Sequence, residues 1–452
     1  MNKLLLANWA LRFMLFALFA SWLILFIVNP VKMYPDSYGY FENAKNLFDP
    51  AQTMTRPILY SIFIRIIMGL HLKASIVSYL LNCASLLYLM RMAAGKGPLF
   101  SIQNTIVLVC LFMLTGIWSY CGTYLTESIL PAVESWIFIL LVKIFLPAEK
   151  IPVAGIIGYS VLIFLLATTL KPWIMVAVLM IGALLLLASF SVSAFREKRR
   201  PALLFFAVSI LLFMAGLSYN RSKSFEKANM VVFMAGSGYE GRLEQRLTEG
   251  GGPGGDSSRF MADVLADIRL INTKFGRDPF QAVQTTELKV LNFQDKNNAP
   301  NIDRAFHVMY MEHFRDAFGL VGLAFERYIS RLRLGTSCFE IAYGPELPGI
   351  RKLGFIFIIL LLGMTILRWP RHDKPLAIFM GIILLAGVLY GLLLSLPVAE
   401  ELQRTVLPAP LFEVLALAYI LFGTTGRGVS AISPSSYSPS PRESLLQGPG
   451  LP

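Results

Sequence analysis

Four polar side chains stand out in a mostly apolar chain: Asp36, Glu127, Lys171 and Arg404. Asp36 lies in YPDSYGYFENAKNLFD (34–49), just past a long apolar run, among Tyr34, Tyr38 and Tyr40. A carboxylate placed where water meets apolar surface is able to take a proton from an acceptor hydroxyl or amine. Asp36 or Ser37 would equally serve as the N-cap of a helix through Leu47. Arg56-Pro57 opens a short apolar stretch, 57–70. The Arg56 guanidinium suits bidentate phosphate binding, or a solvated, snorkelling position. Lys171-Pro172 falls between two apolar runs, where Pro172 fits the first helical turn of the second. Lys171 then suits a phosphate as a fixed point charge, or an interfacial lysine.

Glu127 and Glu134 are seven residues apart in the run 124–146, a spacing that predicts one shared helix face with Pro131 as a possible kink. Ionisable groups in a membrane span are costly and point to function by default. The alternative for Glu134 is a buried, paired carboxyl. Glu400, Glu401 and Arg404 precede the last apolar run. Arg404 near a helix start favours anions, and an Arg404–Glu400 pair at i, i+4 is the structural alternative. Tyr38, Tyr40, Glu134 and Glu400 complete the candidates, as groups able to hold an acceptor or a sugar. There is no Gly-rich phosphate loop ending in Lys-Ser/Thr, which argues against direct use of ATP. HExxH and CxxC patterns are missing too, and His71, His307, His313 and His372 are scattered, so no metal is assigned. Cys121 and Cys338 are candidates for a disulfide; Cys83 and Cys110 read as packing residues.

The elements that must position these groups follow from composition. Of 452 residues, 56% are hydrophobic and 15% charged, against about 25% charged in an ordinary soluble domain. Mean hydropathy is +0.61. This excludes a soluble globule, a disordered chain and a fibre, and predicts an all-α polytopic membrane protein. About ten apolar runs approach the roughly 20 residues a span needs: 10–28, 75–93, 102–119, 124–146, 152–170, 173–190, 201–219, 352–368, 376–396 and 405–423. The stretch 57–70 is too short to span and reads as a re-entrant or surface helix, which as a re-entrant one would be an eleventh membrane element.

The net charge is +12, yet residues 220–350 carry 16 basic and 16 acidic residues, so the excess lies in the loops elsewhere. That pattern speaks for membrane orientation and anionic lipid rather than nucleic acid. Lys3, Arg12, Arg91, Lys96, Lys150, Arg196, Lys198, Arg199, Arg200, Arg368, Arg371 and Lys374 fall on one side of a ten-span chain, predicting cytoplasmic termini. Lys32, Lys45, Arg56, Arg65 and Lys73, in the long first outer loop, run against this rule. The expected layout is therefore an N-terminal transmembrane module, 1–219, with a catalytic first outer loop at 29–74. An extracytoplasmic segment, 220–350, follows. It contains GGPGG at 251–255 and an amphipathic helix in 304–334. C-terminal transmembrane helices, 351–423, and a disordered cytoplasmic tail, 424–452, close the chain.

Together these stretches resemble the GT-C superfamily of polyprenyl-phosphate-sugar-dependent membrane glycosyltransferases, closest to bacterial relatives of protein O-mannosyltransferases and the lipid A aminoarabinose transferase. The likeness rests on YPDSYGYFENAKNLFD, TRPILYSIF (55–63), TYLTESIL (123–130), ATTLKPWIM (167–175), YMEHFRDAFGLVGLAFERYI (310–329) and EELQRTVLPAP (400–410). Ser37, Ile58 and Thr405 depart from the family pattern, so sugar and acceptor stay unspecified. The resemblance implies Asp36 as general base and Glu127 as its aid or as the group orienting the acceptor. Arg56, Lys171 and Arg404 would hold the donor phosphate. It also implies inversion at the sugar carbon, in a plasma (inner) membrane enzyme with its site on the extracytoplasmic side. The donor is itself the lipid-phosphate sugar, so no separate cofactor is expected, and a lone Asp36 argues against an obligatory metal. Two other readings share the residues: a lipid-linked glycan polymerase or ligase, and a non-enzymatic lipid or oligosaccharide transporter. The latter would favour matched halves with broken helices, and no internal repeat is visible.

Overall fold

An apolar segment without water partners must satisfy its own N–H and C=O groups, and helices do this within one stretch of chain. The computed structural model describes residues 3–33, 35–47, 58–95, 98–114, 120–146, 151–171, 174–220, 227–228, 231, 256–275, 288–292, 295–315, 359–367, 374–395 and 408–430. Among them the architecture is all-helical, with one isolated β-bridge between Lys32 and Thr123. The first five helices are α1 (Lys3–Val28), α2 (Pro35–Lys45), α3 (Ile58–Gly69), α4 (Ala74–Ala94) and α5 (Ile102–Leu114). A 3-10 turn, Thr126–Ser128, leads into α6 (Leu130–Phe145), followed by α7 (Val153–Leu170) and α8 (Ile174–Ser191). A second 3-10 turn, Ser193–Lys198, joins α8 to α9 (Arg199–Asn220). Then come α10 (Asp256–Phe275), α11 (Ala299–Arg315), a helical stretch at 359–367, α12 (Lys374–Ser395) and α13 (Pro408–Ser430).

Helix α6 is the axis of the bundle. Its side chains are buried nearly all round, with Trp136 the main exception, and α4, α7, α9 and α13 pack around it. Helix α12 packs on α13 and α8, and α8 on α9. The α8–α9 approach depends on Gly182, where a Cβ would come within 3.2 Å of the Phe205 and Phe206 rings. Helix α1 lies at the rim along α4 and α5, with Phe13, Phe16 and Val28 at least 70% exposed. Apolar surface on that scale needs a non-aqueous neighbour.

Among the described residues, four helical stretches are long and apolar enough to cross a membrane: Trp9–Val28, Ala74–Ala94, Ile174–Ser191 and Lys374–Leu393. Other expected spans are shorter as described: Ile102–Leu114, Val153–Thr168 and Leu411–Phe422. At 1.5 Å per residue these rise about 18–24 Å, against a hydrocarbon core of about 30 Å. The stretch expected at 57–70 is the short helix α3, which buries Tyr60, Ser61, Ile64 and Ile67 and turns Ile66 and Met68 outward.

The bundle has two distinct ends. At one, the α1 terminus meets the start of α4 through a Ser75 hydroxyl donating to the Phe26 carbonyl, 3.2 Å. At the other, Arg12 donates twice to the Phe100 carbonyl, at 3.0 and 2.8 Å. Basic residues that break the charge rule at the first end have a structural use. Arg65 donates to the Ala44 and Lys45 carbonyls at the end of α2, and Lys73 to the Ile27 and Asn29 carbonyls at the end of α1. A cation over the last carbonyls of a helix meets its unsatisfied acceptors and its negative pole.

In the polar segment 220–350, the helix expected from 304 onward is present as α11 through Arg315, and its continuation lies outside the described residues, as does GGPGG. The disordered tail expected from 424 begins later than that, because 424–430 continue α13 as helix; residues from 431 lie outside the described residues. Buried Asp267 on α10 accepts hydrogen bonds from the backbone amides of Lys289, Val290 and Leu291, which clamps the 288–292 loop to the helix. Lys227 pairs with Asp303 on α11, and the Arg304 guanidinium covers the Phe260 ring.

Candidate functional site

The segment carrying Asp36 is fastened to the turn carrying Glu127. The Lys32 amide donates to the Gly122 carbonyl (2.8 Å) and the Tyr124 amide to the Lys32 carbonyl (3.1 Å). Helix α2 begins at Pro35, so Ser37 lies in its first turn. Its hydroxyl donates to the Tyr124 carbonyl at 2.8 Å, tying α2 to the turn. The rings of Phe41 and Tyr124 meet edge-on with centroids 4.8 Å apart. Asp36 is the second residue of α2, next to this anchor; its side chain lies outside the described residues.

Glu127 does not continue into a helix. A proline ring clashes with the carbonyl four residues before it, and for Pro131 that is the Glu127 carbonyl. The chain therefore forms the 3-10 turn Thr126–Ser128, passes Ile129, and starts α6 with the proline in its first turn. This corrects the expected shared face: Glu127 sits in a buried turn and Glu134 on α6. Pro131 starts the helix rather than kinking it.

The turn brings Glu127 against Lys171. The Lys171 Nζ donates to Glu127 Oε1 at 2.7 Å, while Oε2 accepts from the Thr126 hydroxyl at 3.1 Å. The Glu127 side chain is fully buried and that of Lys171 is 16% exposed. Lys171 ends α7 in an extended conformation, its amide donating to the Ala167 carbonyl and its carbonyl accepting from the Ile174 amide. The two short connections thus fix a cation at the mouth of the bundle, backed by a carboxylate with no exposure of its own. Such a pair costs desolvation on both sides and holds only with good geometry and further hydrogen bonds.

Further hydrogen bonds hold the turn from α4 and α3. Asn82 donates to the Ser128 carbonyl (2.6 Å) and the Cys121 sulfur (3.3 Å) and accepts from the Ala132 amide (2.7 Å). The Ser128 hydroxyl donates to the Tyr60 oxygen (3.2 Å) and accepts from Ser78 (3.4 Å). Burial pushes the Cys121 thiol well above its ordinary range, and the Tyr124 hydroxyl upward as well. The Cys121 thiol is free and buried; Cys338 lies outside the described residues.

Glu134 is fully buried, and both its oxygens lack a hydrogen-bond partner, as does the buried Tyr390 hydroxyl on α12. Lys171 and Tyr390 are both within electrostatic reach of Glu134. Tyr38 is 67% exposed on α2, whereas Tyr40 is buried with its ring edge-on to Tyr60. Arg56, Glu400, Glu401 and Arg404 lie outside the described residues.

The structure thus joins Glu127, Lys171 and the α2 backbone of Asp36, three stretches far apart in sequence. Among the described residues no three His, Cys, Asp or Glu side chains gather as a metal site. Sequence reasoning missed Asn82, Ser128 and Tyr60. The signal for Asn82 was present: Ser75, Ser78, Asn82 and Ser85 recur at helical spacing and form a buried polar stripe on apolar α4. The cluster fixes a partly exposed cation, backed by a buried carboxylate, at the turn that anchors α2, and such a cation is suited to holding an anionic group. No family model, curated protein or solved structure matches this chain.

Proposed function

We propose that this chain is a polytopic membrane glycosyltransferase that moves a sugar from a polyprenyl-phosphate donor to an extracytoplasmic acceptor. The observation that carries the reading is the meeting of the α2 segment, the Glu127 turn and Lys171 at one end of an apolar bundle. In the proposed reaction the acceptor hydroxyl or amine gives its proton to the Asp36 carboxylate and bonds to the anomeric carbon. The bond from that carbon to the phosphate oxygen breaks, and its electron pair leaves with the lipid phosphate. The phosphate gains one negative charge, so a cation already in place stabilises the transition state more than the ground state. Lys171 is that cation, with Arg56 and Arg404 proposed beside it. Glu127 keeps the Lys171 ammonium at the mouth through the 2.7 Å contact.

The Lys171 end then faces outward, and the Arg196–Arg200 turn faces the cytoplasm, in keeping with the bias of basic residues. Proposed partners are the lipid-linked sugar, membrane lipid and an acceptor that is a lipid, glycan or protein. Comparative mass spectrometry of envelope glycans, glycolipids and glycoproteins, with and without the protein, tests the reading. A species that loses one sugar when the protein is removed supports it. Unchanged glycosylation, with a lipid-linked precursor trapped on one leaflet, would favour a transporter instead.

A further inference from the structure

The end of the bundle away from Lys171 carries a compact basic turn that the transferase reading leaves unused. Helix α8 starts three residues after Lys171 and, at about 1.5 Å per residue, carries the chain about 27 Å to Ser191. The turn Ser193–Lys198 follows, and α9 starts at Arg199. Arg196, Arg199 and Arg200 are exposed, Lys198 is half-buried, and Glu197 is the one acid among them. Four cations and one anion within five positions repel one another unless an outside anion joins them.

The turn is also held firmly. Phe195 is fully buried. The Val192 amide donates to the Ala188 carbonyl (2.9 Å) and the Phe195 amide to the Val192 carbonyl (3.0 Å). The Arg199 guanidinium lies 4.3 Å from the Phe190 ring centroid. Stacking restrains the planar group and leaves its edge N–H groups for a bidentate acceptor. Burial pulls the Lys198 ammonium below its ordinary range, so a nearby anion would favour its charged form. Below the turn, Leu187, Phe190, Leu203 and Leu211 are exposed on α8 and α9 and continue the cationic edge as an apolar strip. A phosphate above and apolar chains below match that surface in charge and polarity, whereas a free phosphate would use only the upper half.

We propose that Arg196, Arg199 and Arg200 form a binding site for the phosphate headgroup of an anionic phospholipid, its acyl chains lying along the α8–α9 strip. The site is independent of the transferase reading and lies at the opposite end of the bundle. The test is titration of the full chain in zwitterionic detergent with dioleoyl-phosphatidylglycerol, reading bound lipid by native mass spectrometry. The wild type should bind it in preference to phosphatidylcholine. R196Q/R199Q/R200Q should weaken binding about 100-fold, at about fivefold per charge removed. Replacing the same three residues by lysine should restore only part of it, because the planar fork is lost. K45Q/K289Q, which removes two exposed basic residues outside this turn and the helices packed on it, should change binding less than threefold. Equal losses in the two glutamine variants, or wild-type binding by the triple variant, would overturn the site. Displacement of the lipid by millimolar inorganic phosphate at constant ionic strength would overturn its assignment to a lipid. Unchanged elution and thermal unfolding of the triple variant show that folding is not what is being read.

Discussion

Replacing Lys171 by methionine removes the cation and leaves the Glu127 carboxylate buried without its partner. The Glu127 side chain has no exposure, so it has no water to fall back on, and Thr126 is left bonded to one oxygen. Breaking a buried pair in this way costs about 3–5 kcal/mol. Glu127→Gln is milder, because the Lys171 ammonium is 16% exposed and can turn toward solvent; about 1–2 kcal/mol is expected for the lost charged hydrogen bond. The double variant K171M/E127Q should fall near the E127Q value, since the orphaned charge is gone, giving a coupling of at least about 2 kcal/mol. The assay is reversible unfolding in mixed micelles by increasing SDS fraction, followed by far-UV circular dichroism and tryptophan fluorescence. If K171M proves no worse than E127Q, or the two effects add to within about 0.5 kcal/mol, the pair does not hold the turn and the argument built on it fails.

Other consequences are open to direct measurement. Asn82→Leu strips the Ala132 amide of its partner and leaves the Ser128 carbonyl with only the weak Cys121 thiol donor at 3.6 Å; at about 1–3 kcal/mol for a buried group left unsatisfied, SDS unfolding should register about 1–4 kcal/mol, and sugar transfer should fall with it. The Cys121 thiol is held in its neutral form by burial, which pushes it well above the ordinary thiol range. Its contribution to stability is therefore complete below about pH 8 and is lost as pH rises past the unfolded thiol's value near 8.5. C121S, which lacks this ionisation, should show a smaller loss of stability between pH 8 and 10 than the wild type, and native Cys121 should resist maleimide at pH 7 until the chain unfolds. Asp267→Asn loses part of a three-amide clamp, so hydrogen exchange over 288–292 should speed up at least tenfold while the amides of α6 keep their protection.

The helical, membrane-type architecture was legible because apolar runs of 18 residues or more have few other ways to fold. The runs at 10–28, 75–93, 173–190 and 376–396 are the clearest helices of the bundle. Glu127 and Lys171 were legible as well, since charges at the ends of apolar runs stand out in composition. Their contact was not: 44 residues separate them, and the α6–α7 hairpin that closes the distance is specified by packing. Helical periodicity assigned Glu127 to the same face as Glu134, and the steric demand of Pro131 overrode it. The caps made by Arg65 and Lys73 were misread as charge-rule exceptions because a basic residue's use depends on which carbonyls lie within its reach. Asn82 was passed over as one polar residue in an apolar helix, although the serines at matching spacing marked a face turned toward polar partners.

The most direct test of the proposed chemistry is transfer of labelled sugar from a polyprenyl-phosphate donor by the purified, reconstituted protein, comparing the wild type with Asp36→Asn. Once envelope analysis has identified the acceptor, the assay follows labelled product under single-turnover conditions. If Asp36 is the proton acceptor, transfer falls by about 100-fold or more while donor affinity changes little, and Lys171→Ala instead weakens donor binding. Transfer by a folded Asp36→Asn protein at the wild-type rate would contradict the mechanism, and no transfer by the wild type itself would contradict the function.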